Sequence, residues 1–288
     1  MPALQLPVGS NTQQVGQKRP RDAGHSAHPP AAPDAPCPVC GGPDSGTHIM
    51  GGCRHADMQR LYINRHNRGL LCVAEAVSRG THGAGYMVLD ATALEAAPAF
   101  APDNRVPDWM LLTPTQRRLT QAERELANKM RPDLLFIPSL PRATTTNPHY
   151  KGPPKAARKR HTVYIVEFGC CGDLNHTEKV AEKAQQHAQL AARLRAVGWN
   201  VAYGPHTIIT LGYAGSIRKQ SGGLLRTLGC KDGQAGICMS RLHSLATKYA
   251  AAILPKRRWL ENTMPRSSAD GHTPAPGGHS SGGGGAYG

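Results

Sequence analysis

The chain has 288 residues, with 34 Lys and Arg against 19 Asp and Glu, a formal net charge of +15. That length carries one large domain or two small ones, and the basic excess favours a polyanionic partner, nucleic acid or an anionic membrane surface. No run approaches the roughly 18–20 apolar residues of a spanning helix, and the N-terminus lacks a signal-peptide core, so an integral membrane protein is excluded and a soluble or at most peripheral one is expected.

Residues 1–35 are rich in Pro, Gln, Ser and Ala, and residues 261–288 end in a Gly run with Ser and Pro. Neither buries enough apolar surface to offset its conformational entropy, so both are expected to be disordered tails. The first carries Lys18-Arg19-Pro20-Arg21. Further basic clusters lie at Lys155 to Arg160 and at Lys256-Arg257-Arg258. Each suits a polyanion contact, or a solvated surface with nuclear-import signals, and a nuclear location is expected.

Eight cysteines without a secretion signal argue against a disulfide framework. Cys37, Cys40, His48 and Cys53 are spaced C-x2-C-x7-H-x4-C within residues 36–56. Such borderline-soft ligands suit tetrahedral zinc, with thiolates at about 2.3 Å and imidazole nitrogen at about 2.0–2.1 Å. Gly41-Gly42 lets the chain turn tightly and aim backbone amides at the sulfurs. His55 is an alternative fourth ligand. Cys230, Cys238 and His243 form a conceivable second site, with core packing as the competing reading.

Met58, Leu61, Tyr62, His66, Leu70, Val73 and Val77 recur at helical spacing, which predicts a helix from about Asp57 to Arg79, stopped by Gly80. Its polar face carries Arg60, Arg65 and Arg68. Tyr86 to Asp90 reads as a short strand, residues 91–107 as a loop, Trp109 to Leu112 as a short apolar run, and residues 115–129 as an amphipathic helix.

Two apolar runs follow, each holding one acid: Arg131-Pro132-Asp133-Leu134-Leu135-Phe136-Ile137 and Thr162-Val163-Tyr164-Ile165-Val166-Glu167-Phe168. Continuous apolar stretches bounded by Pro or polar clusters predict strands buried on both faces. A carboxylate there costs several kcal/mol unless a cation or hydrogen bonds offset it. Asp133 and Glu167 are therefore candidates to share one metal ion. The insert between them, residues 139–160, reads as an exposed basic loop beside the acids. Lys155, Arg158, Lys159 and Arg160 of the insert, with Arg131 before the first acid, are the candidate nucleic-acid contacts.

Asn175 and Glu178 predict a capping box opening a helix that Gly198 ends. Its first turns bring Lys179 and Lys183 over the acids, with His176 and Asp173 near the mouth of the site. Val201 to Tyr203 and Thr207 to Leu211 read as returning strand, and helices are expected around 219–228 and 236–254.

The order zinc knuckle, helix, Arg-Pro-Asp strand, Ile-Val-Glu strand and lysine-bearing helix resembles the C-terminal restriction-like endonuclease domain of non-LTR retrotransposon polyproteins, a branch of the PD-(D/E)xK nucleases. The resemblance implies an α/β fold over residues 57–215, a small mixed sheet flanked by helices with an αβββαβ core, preceded by the knuckle and followed by a helical extension over 216–260. It implies Mg²⁺ held by Asp133 and Glu167, structural Zn²⁺, Lys183 or Lys179 as catalytic lysine, and DNA as substrate, with RNA as a further partner. Gly169 stands where the simplest superfamily pattern puts that lysine. No reverse transcriptase precedes the knuckle, so the expectation is a detached part of such an element. A non-catalytic zinc-dependent nucleic-acid-binding remnant is the alternative function, and a protein-interaction adaptor built on the knuckle is a third.

Overall fold

The computed structural model describes residues 36–90, 98–101, 103–113, 115–145, 147 and 149–263. The tail expected at 1–35, with Lys18 to Arg21, lies outside them, as do residues 264–288 of the tail expected at 261–288 and residues 91–97 and 102 of the loop expected at 91–107.

The knuckle opens the fold. Its single π-helical turn, His48–Gly52, leads through Cys53 into α1, Ala56–Ser78. The ring of His55 caps that helix by accepting the Asp57 N–H at 3.2 Å. β1, Gly85–Leu89, follows α1. The apolar run near Trp109 is the short helix α2, Asp108–Leu111, and not an extended segment. The amphipathic helix expected over 115–129 is confined to α3, Gln121–Lys129. Its start is fixed by a reciprocal capping box in which Thr120 accepts the Glu123 N–H and Glu123 accepts the Thr120 N–H.

β2, Leu134–Pro141, is followed by α4, Arg142–Thr145, and α5, Lys155–Arg158, so the insert is not wholly irregular. β3 spans Thr162–Cys171. The long helix expected after it is broken into α6, His176–Gln186, and α7, Ala188–Ala196. The break has a specific cause. The Tyr203 hydroxyl donates to the Lys183 carbonyl at 2.7 Å and accepts the His187 N–H at 2.9 Å, taking the place of one i→i−4 bond. The Asn175–Glu178 capping box is absent: Asn175 precedes α6 without a side-chain cap. Gly198 ends α7 at φ 101°, as a left-handed terminator should.

β4, Asn200–Ala202, and β5, Ile208–Gly212, complete a five-stranded mixed sheet. β1 pairs antiparallel with β2 and β2 antiparallel with β3. β4 and β5 both run parallel to β3, the first along Thr162–Tyr164 and the second along Glu167–Cys171. Side chains alternate between two cores. Val166, Phe168, Leu134 and Phe136 face α1 together with the last two helices, α8, Lys219–Thr227, and α9, Asp232–Thr263. Val163, Ile165, Leu135 and Ile137 face α2, α3 and α7. The acid-bearing strands are thus covered on both sides, which is why they read as unbroken apolar runs.

α9 is longer than expected and runs through Pro255. Its last turns bury Ile253 and Leu260 against Cys37, Cys53, Met58 and Tyr62. Burial there keeps the helix going where propensity alone would end it. No helix among the described residues is long and apolar enough to cross a membrane.

Candidate functional site

Cys37, Cys40, His48 and Cys53 form the one group of three or more His, Cys, Asp or Glu among the described residues whose ligand atoms all lie within 4.8 Å of one another. Cys40 Sγ is 3.6 Å from Cys37 Sγ and 3.3 Å from His48 Nε2. A tetrahedron with bonds of about 2.3 Å has edges of about 3.7 Å, so the set suits a metal such as zinc. Gly41 takes φ 72° and turns the chain back after Cys40, a conformation open to Gly without penalty. Burial works against the Cys40 thiolate, but the amides of Arg54 and Gly42 outweigh it and bring the thiol down to about 6. Burial pushes Cys53 up to about 11, a cost that a bound cation would reverse. His55, spent on capping α1, is not among the ligands.

The second conceivable cysteine site does not assemble. Cys238 Sγ faces Cys72 Sγ at 3.9 Å, Cys230 is buried in the core, and His243 hydrogen-bonds the Gly215 carbonyl.

The two acids meet by strand register. Leu134 pairs with Val166, so one step further Asp133 lies across from Glu167. Like charges directly opposite repel, and here neither is solvated: Asp133 is 8% exposed and Glu167 0%. The missing charge comes from α6. Lys183 Nζ lies 3.0 Å from Asp133 Oδ2 and 3.1 Å from Glu167 Oε2, which puts those oxygens no more than about 6 Å apart. Asp133 Oδ2 also accepts the Phe168 N–H at 2.8 Å.

The environments push the two carboxyls in opposite directions. Burial opposes ionisation of Asp133, but the His66 hydrogen bond, the Lys183 charge and the Phe168 amide outweigh it and hold it well below the usual range. Glu167 is pushed up to about 8, by burial first and then by the Asp133 charge. Burial also works against the Lys183 ammonium, yet the two acids raise its pKa. The resting charge is therefore one carboxylate, one ammonium and a second acid that holds its proton at neutral pH.

Two histidines complete the cluster without having been singled out from sequence. His66 Nε2 lies 3.5 Å from Asp133 Oδ1 and 3.0 Å from the Phe168 carbonyl oxygen. His187 Nε2 is 3.4 Å from Glu167 Oε1, and burial pushes it down to about 4, so it is neutral. Both of those atoms are buried without a hydrogen-bond partner.

Lys179 points its ammonium at Glu182, 2.7 Å away, and lays its stem across Gly169: a Cβ there would meet Lys179 Cγ at 3.2 Å. Asp173 accepts the Ala214 and Ser216 N–H groups, and His176 sits between Thr210 and Ser216. That pair ties a loop and does not reach the acids through any hydrogen bond or ion pair described.

The basic insert does not flank the acids. The run Lys155 to Arg160 precedes Thr162, five residues and about 16 Å along β3 from Glu167. Arg158 is not a surface contact. It is 5% exposed and donates to the carbonyls of Leu112, Val197, Trp109 and Pro153. Lys155, Lys159 and Arg160 are exposed, while Arg131 pairs with Asp90 at 2.7 Å. In the last basic cluster, Arg257 is buried against Asp44 at 3.0 Å and Lys256 pairs with Asp57 at 2.8 Å.

No protein-family model, no curated protein and no solved structure matches the chain. What is established is a mixed α/β protein with a five-stranded sheet flanked by helices and a Cys3His cluster fit for a metal such as zinc.

Proposed function

We propose that the chain is a metal-dependent DNA endonuclease of the restriction-like kind found in non-LTR retrotransposons, acting in the nucleus. The observation that carries this reading is the convergence of Asp133, Glu167 and Lys183 from three separate elements. Carboxyls with strongly perturbed pKa values cluster at functional sites, and a buried ion pair is by itself weak evidence of stabilisation.

The donor set suits a hard divalent cation. All four carboxylate oxygens are hard ligands, and Glu167 Oε1 is a buried acceptor without a donor. Asp133 and Glu167 would hold Mg²⁺ there, and the ion when bound would polarise a phosphodiester and help activate water. The chain's own groups act beside it. Asp133 is already ionised, Glu167 would release its proton to solvent on becoming a ligand, and Lys183 would supply positive charge to the phosphate. His66 holds Asp133 in place from α1.

Supercoiled plasmid incubated with Mg²⁺ is the test: wild-type protein nicks it and Asp133→Ala does not. Equal nicking by both removes the proposal.

The second reading is a zinc-dependent nucleic-acid-binding remnant without catalysis. It is favoured by the Lys183 ammonium, which already balances the acids, and by the fact that, among the described residues, no carboxylate or imidazole joins both acids in a group whose ligand atoms all lie within 4.8 Å of one another. It predicts salt-sensitive binding of DNA or RNA that survives Asp133→Ala and Glu167→Ala, and no cleavage with Mg²⁺ or Mn²⁺.

A further inference from the structure

A cleft of about 260 Å³ opens beside the acid pair, and its walls come from parts of the chain far apart in sequence. It is lined by Gly51 of the zinc turn, Tyr62 and Arg65 of α1, Lys179 and Lys183 of α6, and Tyr213. The zinc turn is therefore part of this cleft and not a separate appendage. Hydrogen bonds fasten it to α1, among them Tyr62 Oη donating to the Ile49 carbonyl at 2.6 Å and Arg65 Nη2 to the Met50 carbonyl at 2.9 Å.

Arg65 is the unusual member. It is 2% exposed, and its Nε and Nη1 have no hydrogen-bond partner. Burial raises the pKa values of Cys170 and the Tyr213 hydroxyl, which lie near enough for the Arg65 charge and a weak hydrogen-bonding approach to lower them in part, but neither offers Nε or Nη1 a bond of good geometry. The guanidinium carbon rests 4.6 Å from the Tyr213 ring centre, a cation–π contact that leaves its donors unused. The other two cations of the cleft are matched, Lys179 by Glu182 and Lys183 by Asp133 and Glu167. No carboxylate among the described residues forms an ion pair with Arg65. A buried guanidinium with two idle donors is costly unless an anion arrives to use them. Guanidinium is also the group best matched to phosphate oxygens.

We infer that this cleft is a backbone-phosphate subsite, in which Arg65 binds one phosphodiester of a nucleic-acid strand next to the acid pair. The inference rests on the nuclease reading for the identity of the strand. The anion site itself stands on Arg65 and would exist in a non-cleaving protein too. Because Met50 holds the third nitrogen, Arg65 also makes the subsite depend on an intact zinc turn. Arg65 is thus a positioning residue for the strand and touches none of the reacting atoms.

The test is equilibrium binding of a short fluorescent DNA duplex to the zinc-loaded full chain, with Ca²⁺ in place of Mg²⁺. Wild type is compared with Arg65→Gln and Arg65→Lys, and zinc content and melting temperature are measured for each. Arg65→Gln is expected to bind about tenfold more weakly and to lose about one unit of salt slope. Duplexes in which one phosphate at a time is replaced by a neutral methylphosphonate add a readout that a merely structural residue would not move. For wild type, one position is expected to weaken binding more than the rest, and in Arg65→Gln that position falls into line. Should Arg65→Gln fail to keep its zinc, Arg65→Lys carries the test, since it keeps the charge but not the donor set, and the same position is expected to lose its effect. Wild-type affinity, salt slope and methylphosphonate pattern in the folded variants would overturn the subsite. Nicking by Asp133→Ala at the wild-type rate overturns the nuclease reading instead, and leaves the subsite to be judged on binding alone.

Discussion

Lys183 Nζ lies 3.1 Å from Glu167 Oε2, at a point where the carboxyl has no exposed surface at all, and it is also the counter-cation of the neighbouring Asp133 carboxylate. Removing the ammonium while leaving Asp133 charged isolates a buried anion. Lys183→Met is therefore expected to cost about 3–5 kcal/mol in urea unfolding, the usual penalty for breaking a buried pair from one side. Adding Asp133→Asn to it should restore part of that loss. A Lys183→Met protein as stable as wild type would show that the charges are solvated.

Glu167 sets a pH dependence with a definite sign. Its carboxyl ionises near 4.5 in the unfolded chain and near 8 in the fold. Its contribution is fully present below about 4.5, is lost as pH rises to about 8, and then stays constant. Asp133 acts in the opposite sense, losing its contribution only as pH falls below the usual carboxylate range. Across the neutral range Glu167→Gln should therefore flatten the stability profile, measured by urea midpoints at successive pH values. Parallel profiles for the two proteins would contradict the raised pKa. A cation that binds there must also displace the proton, which calorimetry in buffers of different ionisation heat detects.

Zinc is expected to stabilise more than the knuckle itself. Cys37 and Cys53 are buried with Met58, Tyr62, Ile253 and Leu260. Chelation, or Cys40→Ser, should lower stability by several kcal/mol and expose the end of α9 to protease. Unchanged cleavage beyond Ile253 after zinc loss would separate the two.

The basic run before β3 should divide into two kinds of residue. Arg158→Met leaves four carbonyls short of a donor and is expected to cost about 2–4 kcal/mol. The pair Lys159→Gln and Arg160→Gln should change stability by no more than about 0.5 kcal/mol while lowering the salt slope of DNA binding by about 1–2. Thermal melts and binding titrations on the same samples separate the two effects.

Gly69 lies on α1 where a Cβ would run into the Phe168 ring. Gly69→Ala is expected to cost about 1–3 kcal/mol through overpacking. It should also depress any nicking activity, because the Phe168 N–H is one of the bonds that hold Asp133. Stability loss with full activity would mean that the strand end absorbs the shift.

The Cys3His cluster was legible in the sequence because soft ligands at short spacing have few other uses. The acids were legible because they interrupt apolar runs, and a lysine from the next helix, Lys183 or Lys179, followed from placing that helix over the end of β3. His66 and His187 were not. His66 fell on the same spacing as Tyr62 and Leu70, so nothing local distinguished a core residue from one facing an acid. The break at His187 depends on a hydroxyl from Tyr203, far along the chain, and periodicity within the helix carries no trace of it. Arg158 misled for a similar reason. A run of cations looks uniform until the fold turns one of them inward.

The cluster that joins Cys53 to Leu260 also bears on where the chain can be cut. A fragment stopping before Ile253 would keep all four ligands and the sheet, yet would lay the zinc turn over an empty floor. One trimmed at Ala56 would leave the final turns of α9 with greasy residues and the cation of Arg257 facing water. Residues 37–62 and the last turns of α9 are in effect a single clasp, and neither half closes alone.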